Sequence, residues 1–153
     1  SNQTLTKLGP KGRASEITDA ATVLSKLTGR PTMLFRPPYG AHNENVDATM
    51  AKHNLAMINW TADSNDWKDR DAARIIKTVT EYATTYTQPI IVLHDTYSST
   101  ADATSGLIDA LRKKGMTLVT VSELTVNTGG LEAGKTYCRG TAVNQSGIGC
   151  EAS

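Results

Sequence analysis

The chain has 153 residues, 39% of them hydrophobic, and a formal net charge of +1 at pH 7. This length and composition fit one globular domain with a sizeable core. The near-neutral charge gives no basis for binding nucleic acid or a membrane surface. No apolar run approaches the ~18 residues that a membrane-spanning helix needs. The first residues, "SNQTLTKLGPKG", do not resemble a signal peptide, because no apolar stretch follows them.

Helical and strand-like patterns alternate along the chain. Each of four segments with apolar residues at helical spacing is followed by a short apolar run that is typical of a buried strand. Helices that alternate with strands through short connections predict an α/β fold with a parallel sheet, here of about four units. The helical segments cover residues 17–27, 43–53, 72–86 and 107–111, and the strand candidates are "TMLF", "LAMINW", "PIIVLH" and "MTLVTV".

The periodicity fades after Leu124 into a Gly-rich segment, so we divide the chain into a domain over 1–126 and a tail over 127–153. Both cysteines, Cys138 and Cys150, lie in this tail. A disulfide between them would pin the tail and would indicate an oxidising, extracytoplasmic location. The alternative is a pair of unrelated free thiols. A zinc site is not favoured, because no further Cys or His lies nearby in the sequence.

Three polar motifs, "RPPYG", "DSNDW" and "HD", each follow a predicted strand. In parallel α/β folds the carboxyl ends of the strands meet at one edge, and chemistry collects there. We therefore expect the three motifs to gather on one rim of the domain and to form a site.

The first motif combines rigidity with charge. Pro37 and Pro38 stiffen the loop, and Gly40 permits the turn that follows. A stiff loop can hold a backbone N–H at a fixed place, which stabilisation of an oxyanion requires. Arg36 offers a planar guanidinium that can orient a carboxylate. The alternative is a rigid turn with Arg36 in an ordinary ion pair.

The histidine of the third motif, His94, is the candidate general acid. A nearby carboxylate would stabilise its protonated form, and Asp63, Asp66 and Asp95 are the candidates for that partner. The alternative is a histidine that only hydrogen-bonds at the end of a strand.

Three other side chains are weaker candidates. Trp67 could be a stacking platform for a sugar ring, or a lid over the core. His42 follows "RPPYGA" and could face the site. His53 lies late in a predicted helix and is expected to be solvated.

The motifs "FRPPYG", "DSNDW", "IIVLHD" and "LVTVSEL" resemble, in order and spacing over 34–124, the NodB-type polysaccharide deacetylases of carbohydrate esterase family four. The resemblance implies a distorted (β/α) barrel that removes N- or O-acetyl groups from glycans such as chitin, peptidoglycan or xylan. It also implies a divalent metal, usually zinc. Trp67 and Leu93 would line the groove for the acetyl methyl group and the substrate.

The same resemblance assigns catalytic roles. Arg36 would orient the general base, and the backbone N–H of Tyr39 would bind the oxyanion. Asp66 would tune His94, and His94 would protonate the leaving group.

The sequence departs from the family in its metal motifs. It contains no Asp-Asp pair and no two histidines three residues apart. Asn2 stands where the family usually has a histidine ligand, and could be a weak ligand through its amide oxygen. We therefore expect a separate N-terminal segment to supply the base, the other ligands and the rest of the sheet. The alternatives are a non-catalytic glycan-binding module and a structural α/β domain whose rim motifs only hold loops.

Overall fold

The computed structural model describes residues 3–143 and residue 150. Helices alternate with short strands over most of this range. The helices are α1 Pro10–Thr28, α2 Glu44–Lys52, α3 Asp66–Asp69, α4 Ala72–Thr85, α5 Ser98–Lys113 and α6 Val121–Thr125. The strands are β1 Leu34–Phe35, β2 Ala56–Ile58, β3 Ala62–Asp63, β4 Ile91–Val92, β5 Thr136–Tyr137 and β6 Ala142–Val143.

The helix ends follow from local sequence. Helix α1 ends at Gly29, whose left-handed backbone (φ 68°) is the conformation that glycine adopts without strain. Helix α2 begins after Asn43, whose side chain accepts a hydrogen bond from the backbone N–H of Val46. Asp71 caps α4 in the same way. These boundaries confirm the predicted helices and the predicted stop at Gly29.

The strands pair mainly in parallel, which confirms the predicted α/β class. Strand β2 lies between β1 and β5 and pairs in parallel with both. Strand β6 extends the same sheet in antiparallel orientation, in the order β1-β2-β5-β6. Strands β3 and β4 form a second parallel pair. The carboxyl ends of β1, β3 and β4 carry the three polar motifs.

The predicted strand "MTLVTV" is the exception. Its residues pair with no strand among those described, and Leu118 and Val119 are exposed. The segment ends in a capping box: the Glu123 carboxylate accepts from the backbone N–H of Thr120, and the Thr120 hydroxyl accepts from the backbone N–H of Glu123. Helix α6 therefore begins at Val121, where the sequence pattern predicted a strand.

The Gly-rich tail contributes strands that the sequence did not predict. Tyr137 of β5 is almost fully buried, and its hydroxyl donates to the Gly130 carbonyl and accepts from the Glu132 N–H. Because β5 pairs directly with β2, the first part of the tail packs as an integral part of the main sheet.

The core buries most of the predicted apolar face of α4, but two residues of the predicted apolar faces, one on α4 and one on α1, are exposed. Helices α4 and α5 pack together through buried side chains, and burial of each Val, Leu or Ile among them contributes about 1.5–3 kcal/mol. Those side chains include Ile75, Val79 and Leu107. The same predicted stripe on α4 included Tyr82, which is exposed. On α1, Ile17 is buried against α2, but Leu27 is 79% exposed because only the first half of α1 packs.

Among the described residues, no helix combines the length and the apolar character needed to cross a membrane.

Candidate functional site

A cavity of about 270 Å³ opens at the carboxyl ends of the strands. The loops that follow β1, β2 and β4 line it together, which confirms that the first and third polar motifs converge. Its lining consists of Arg36, Pro37, Pro38, Tyr39, Trp60 and His94. Trp60 is a lining residue that sequence analysis missed, because its position at the end of an apolar run indicated only a strand.

The turn after β1 has an unusual backbone. Tyr39 has φ 60° and ψ 12°, the left-handed region, and Gly40 follows with φ 67°. The Gly40 N–H donates to the Pro37 carbonyl (3.0 Å), and the Ala41 N–H donates to the Pro38 carbonyl (3.2 Å). A non-glycine residue in this region costs roughly 1–2 kcal/mol, so the surroundings must hold it there. Such conformations cluster at functional sites.

Arg36 follows β1 and lies at the mouth of the cavity. Its guanidinium carbon lies 5.8 Å from the centre of the Trp60 ring, within the range of a cation–π contact. No carboxylate of the described residues forms an ion pair with it. The described part of the chain therefore does not show the ordinary ion pair of the alternative interpretation. The guanidinium is available to bind a carboxylate.

His94 is fixed by a single buried carboxylate, that of Asp66. The His94 Nδ1 lies 2.7 Å from Asp66 Oδ1, and the backbone N–H of His94 donates to Oδ2 at 2.6 Å. The Thr100 hydroxyl donates to the same Oδ2 at 2.8 Å. The His94 side chain is 34% exposed, whereas that of Asp66 is fully buried. Asp66 thus orients the ring from below and leaves its other edge towards the cavity.

The electrostatics of Asp66 follow from these contacts. Burial acts to raise the pKa of the Asp66 carboxyl, but the hydrogen bonds from His94 and Thr100 and the charge of His94 outweigh it and hold the pKa below its ordinary value of 3.8. A carboxyl with a lowered folded pKa stabilises the fold above that ordinary value, and the stabilisation is lost as the pH falls through the folded pKa. Asp66 is therefore ionised at neutral pH, with its Oδ1 atom 2.7 Å from Nδ1 of His94.

The structure decides between the three candidate partners of His94. Asp95 is exposed, and the Asp63 carboxylate accepts from the backbone N–H of Asn65. Only Asp66 contacts His94 among these three. Thr100, in the first turn of α5, was missed by sequence analysis, because a threonine near a helix start gives no signal of a distant carboxylate partner.

The other sequence candidates lie outside the lining of this cavity. Trp67 is 50% exposed beside Asp66. Leu93 is half-buried and packs against the α4–α5 cluster. His42 is buried, with its Nδ1 2.9 Å from Asp47 Oδ1. His53 is partly exposed at the end of α2, close to the prediction that it is solvated.

The predicted metal ligand cannot be placed, because Asn2 lies outside the described residues. Within residues 3–143 and 150, no three His, Cys, Asp or Glu side chains come together as a metal-binding group. The described residues therefore do not provide the ligand set of a zinc site.

The fold and the rim motifs together resemble those of carbohydrate esterase domains, and comparison with known proteins supports this class. The family model for polysaccharide deacetylase matches residues 1–58. Peptidoglycan-N-acetylmuramic acid deacetylase PdaC of Bacillus subtilis is 36% identical over 124 residues, which cover 81% of this chain and 26% of PdaC. The chain thus spans about a quarter of this curated relative.

Solved structures agree with the sequence comparison. The T48 deacetylase with substrate superposes with a TM-score of 0.81 at 28% identity, over 90% of this chain and 66% of the other. A family 4 carbohydrate esterase from Streptomyces lividans in complex with acetate gives a TM-score of 0.74 at 26% identity, over 87% and 66%. The chain belongs to the NodB-type polysaccharide deacetylases, carbohydrate esterase family four.

Proposed function

We propose that this chain supplies the general-acid and oxyanion side of a metal-dependent polysaccharide deacetylase. The observation that carries the proposal is the position of His94, oriented by buried Asp66, on the same cavity as the left-handed turn at Tyr39. Zinc is the metal proposed for the complete enzyme. Its ligands and the general base would come from residues outside those described.

His94 acts as the general acid in this proposal. As the C–N or C–O bond of the tetrahedral adduct breaks, its electron pair goes to the leaving nitrogen or oxygen. That atom takes the proton from the imidazolium of His94, which becomes neutral, and acetate is formed. Asp66 holds Nδ1 of the ring, so that the other nitrogen, Nε2, carries the transferred proton.

The turn after β1 stabilises the negative charge that forms on the adduct in this proposal. The backbone N–H of Tyr39 donates to the oxygen that becomes negative in the adduct. Arg36 orients the carboxylate of the general base with its planar guanidinium. The proximity of Arg36 to the Trp60 ring supports this role, because a cation–π contact limits the positions that the guanidinium can take.

Trp67 and Leu93 contact the substrate in this proposal, with Leu93 beside the acetyl methyl group. The exposure of Trp67 supports a stacking role, since a half-exposed indole can cover the face of a sugar ring. The proposed substrate is an acetylated glycan. PdaC is named for N-acetylmuramic acid in peptidoglycan, and a cell-wall glycan is our proposal for this chain.

Acetate release from acetylated oligosaccharides, measured with the complete zinc-loaded enzyme, tests the function and Trp67 together. We expect release by the parent enzyme, and a Trp67→Ala variant with a KM raised about tenfold, or about 1.4 kcal/mol of lost binding, and a smaller change in kcat, because the indole would cover one face of the sugar ring in the bound substrate. Glycan binding without acetate release would instead support the non-catalytic module. A Trp67→Ala variant with lowered thermal stability and unchanged KM would contradict the stacking role.

A missing neighbour beside β1 supports the proposal of an N-terminal partner segment. Within the part of the chain described, β1 pairs only with β2, and Met33 and Leu34 are exposed. Parallel sheets are normally covered on both faces and paired at their edges. We propose that further strands of the same domain pair here.

The cysteines support an extracytoplasmic location. The Cα atoms of Cys138 and Cys150 lie 5.8 Å apart, a normal separation for a disulfide, and both side chains are buried. We propose that the pair is oxidised and the protein is secreted to the cell wall. The unreduced, unfolded protein should therefore take up no thiol-alkylating reagent, and two labelled thiols per chain would contradict the bridge.

A further inference from the structure

We propose that Asn59 is a positioning residue that holds the turn at Pro38–Gly40 in its left-handed form. The inference rests on the proposed role of the Tyr39 backbone N–H. It adds a side chain that neither contacts substrate nor lines the cavity, but that determines where this N–H lies.

Asn59 connects the turn to the main sheet. It directly follows β2 and is only 1% exposed. Its side-chain Nδ2 donates to the Gly40 carbonyl oxygen at 3.1 Å, in a buried contact between residues 19 positions apart. Its own backbone N–H donates to the Tyr137 carbonyl of β5 at 2.8 Å. One residue is therefore anchored to the sheet and bonded to the turn.

The turn requires such an external contact. Its two internal hydrogen bonds close the loop at Pro37 and Pro38. A positive φ at Tyr39 is unfavourable for a residue with a side chain, and such a conformation persists only where surrounding structure holds it. The bond from Asn59 also satisfies the Gly40 carbonyl, which would be costly to bury unpaired.

The chemistry of Asn59 favours this role over simple packing. Its Oδ1 is buried without a hydrogen-bond partner in the described part of the chain. A buried amide with an unpaired oxygen is unfavourable, and an apolar side chain of similar shape would avoid that cost. The hydrogen bond to the Gly40 carbonyl is thus what a polar side chain contributes at this position.

A second buried contact lies on the other side of the turn. The ring of His42 is buried, and its Nδ1 lies 2.9 Å from Asp47 Oδ1 on α2. Because His42 is two residues after Gly40, this pair fixes the chain where it leaves the turn. The Asn59 bond then fixes the turn itself, between β1 and this second anchor.

The test compares Asn59→Leu with Thr136→Val. Both replace a buried polar side chain of the main sheet by an apolar one of similar size, but Thr136 contacts Met57 and not the turn. Hydrogen exchange of the Gly40 and Ala41 amides, measured by NMR, reports the turn directly. We expect about tenfold faster exchange at both amides in Asn59→Leu and no change at these amides in Thr136→Val.

Kinetics of the complete zinc-loaded enzyme supply the second measurement. We expect Asn59→Leu to lower kcat about tenfold or more with KM within about twofold, because the oxyanion contact is made in the transition state. Thr136→Val should leave kcat unchanged. Unchanged exchange at Gly40 and Ala41 would overturn the inference, as would equal kcat losses in both variants. A third outcome separates the two proposals. If exchange at Gly40 and Ala41 is faster in Asn59→Leu but the parent enzyme releases no acetate, Asn59 still holds the turn and the proposed function is overturned.

Discussion

His94→Ala should lower kcat of the complete, metal-loaded enzyme by roughly 10²–10⁴ while changing KM much less. The proton that His94 supplies matters when the bond to the leaving group breaks, and contributes little to binding the ground state. The buried Asp66 carboxylate, 2.7 Å from Nδ1, fixes the ring, and no other histidine of the described residues lines the cavity. Steady-state acetate release at saturating and subsaturating substrate separates the two constants.

Two further variants make this prediction specific. His53→Ala removes a partly exposed imidazole at the end of α2 and should leave kcat unchanged. Asp66→Asn keeps the shape of the buried side chain but removes the carboxylate that orients His94 through Nδ1, and should lower kcat in the same direction as His94→Ala. The two changes should be strongly non-additive, because both act through one proton transfer. Full activity in His94→Ala would remove His94 from the mechanism.

The predictable parts of the fold are those where periodicity and tertiary contact agree. The stripe on α4 includes Ile75 and Val79, which are buried against α5 as the pattern predicted. On α1 the same kind of pattern predicted a buried Leu27, which is exposed. An apolar face shows that a helix has something to bury, but it does not show whether the described chain contains the surface that covers it.

The sequence pattern could not predict very short strands or hydrogen-bond partners that are distant along the chain. Strand β5 has two residues between glycine-rich turns, too few to show an alternating pattern. Its place beside β2 depends on a contact between residues almost eighty positions apart. Thr100 and Asn59 were missed for a similar reason, since each bonds to a residue that is distant in the sequence.

The motifs themselves could be found, because the chain order of an α/β fold places them. Residues that follow successive parallel strands must lie at one edge, and Arg36, Tyr39 and His94 do share one cavity. The choice of Asp66 among three aspartates came from the resemblance to the deacetylase family. Its burial and its three hydrogen bonds explain that choice physically.

The isolated 153-residue chain should bind zinc weakly and release no acetate. Zinc sites in proteins take three or four His, Cys, Asp or Glu ligands, and no such group of three occurs within residues 3–143 and 150. Supplying an N-terminal segment of the same domain, by fusion or as a separate chain, should restore both properties. Isothermal titration with zinc and an acetate-release assay on the same samples measure the two properties together.

Restoration should be joint because one segment would serve both needs. Strands added beside β1 would cover the exposed Leu34, and the same segment would bring the missing ligands and base to the rim that holds His94. We therefore also expect a higher midpoint of thermal unfolding for the combined protein, even without zinc, since buried apolar surface stabilises it independently of the metal. Tight, stoichiometric zinc binding with turnover by the isolated chain would contradict this division of the site. It would show that His42 or another residue within the chain has taken over a ligand role.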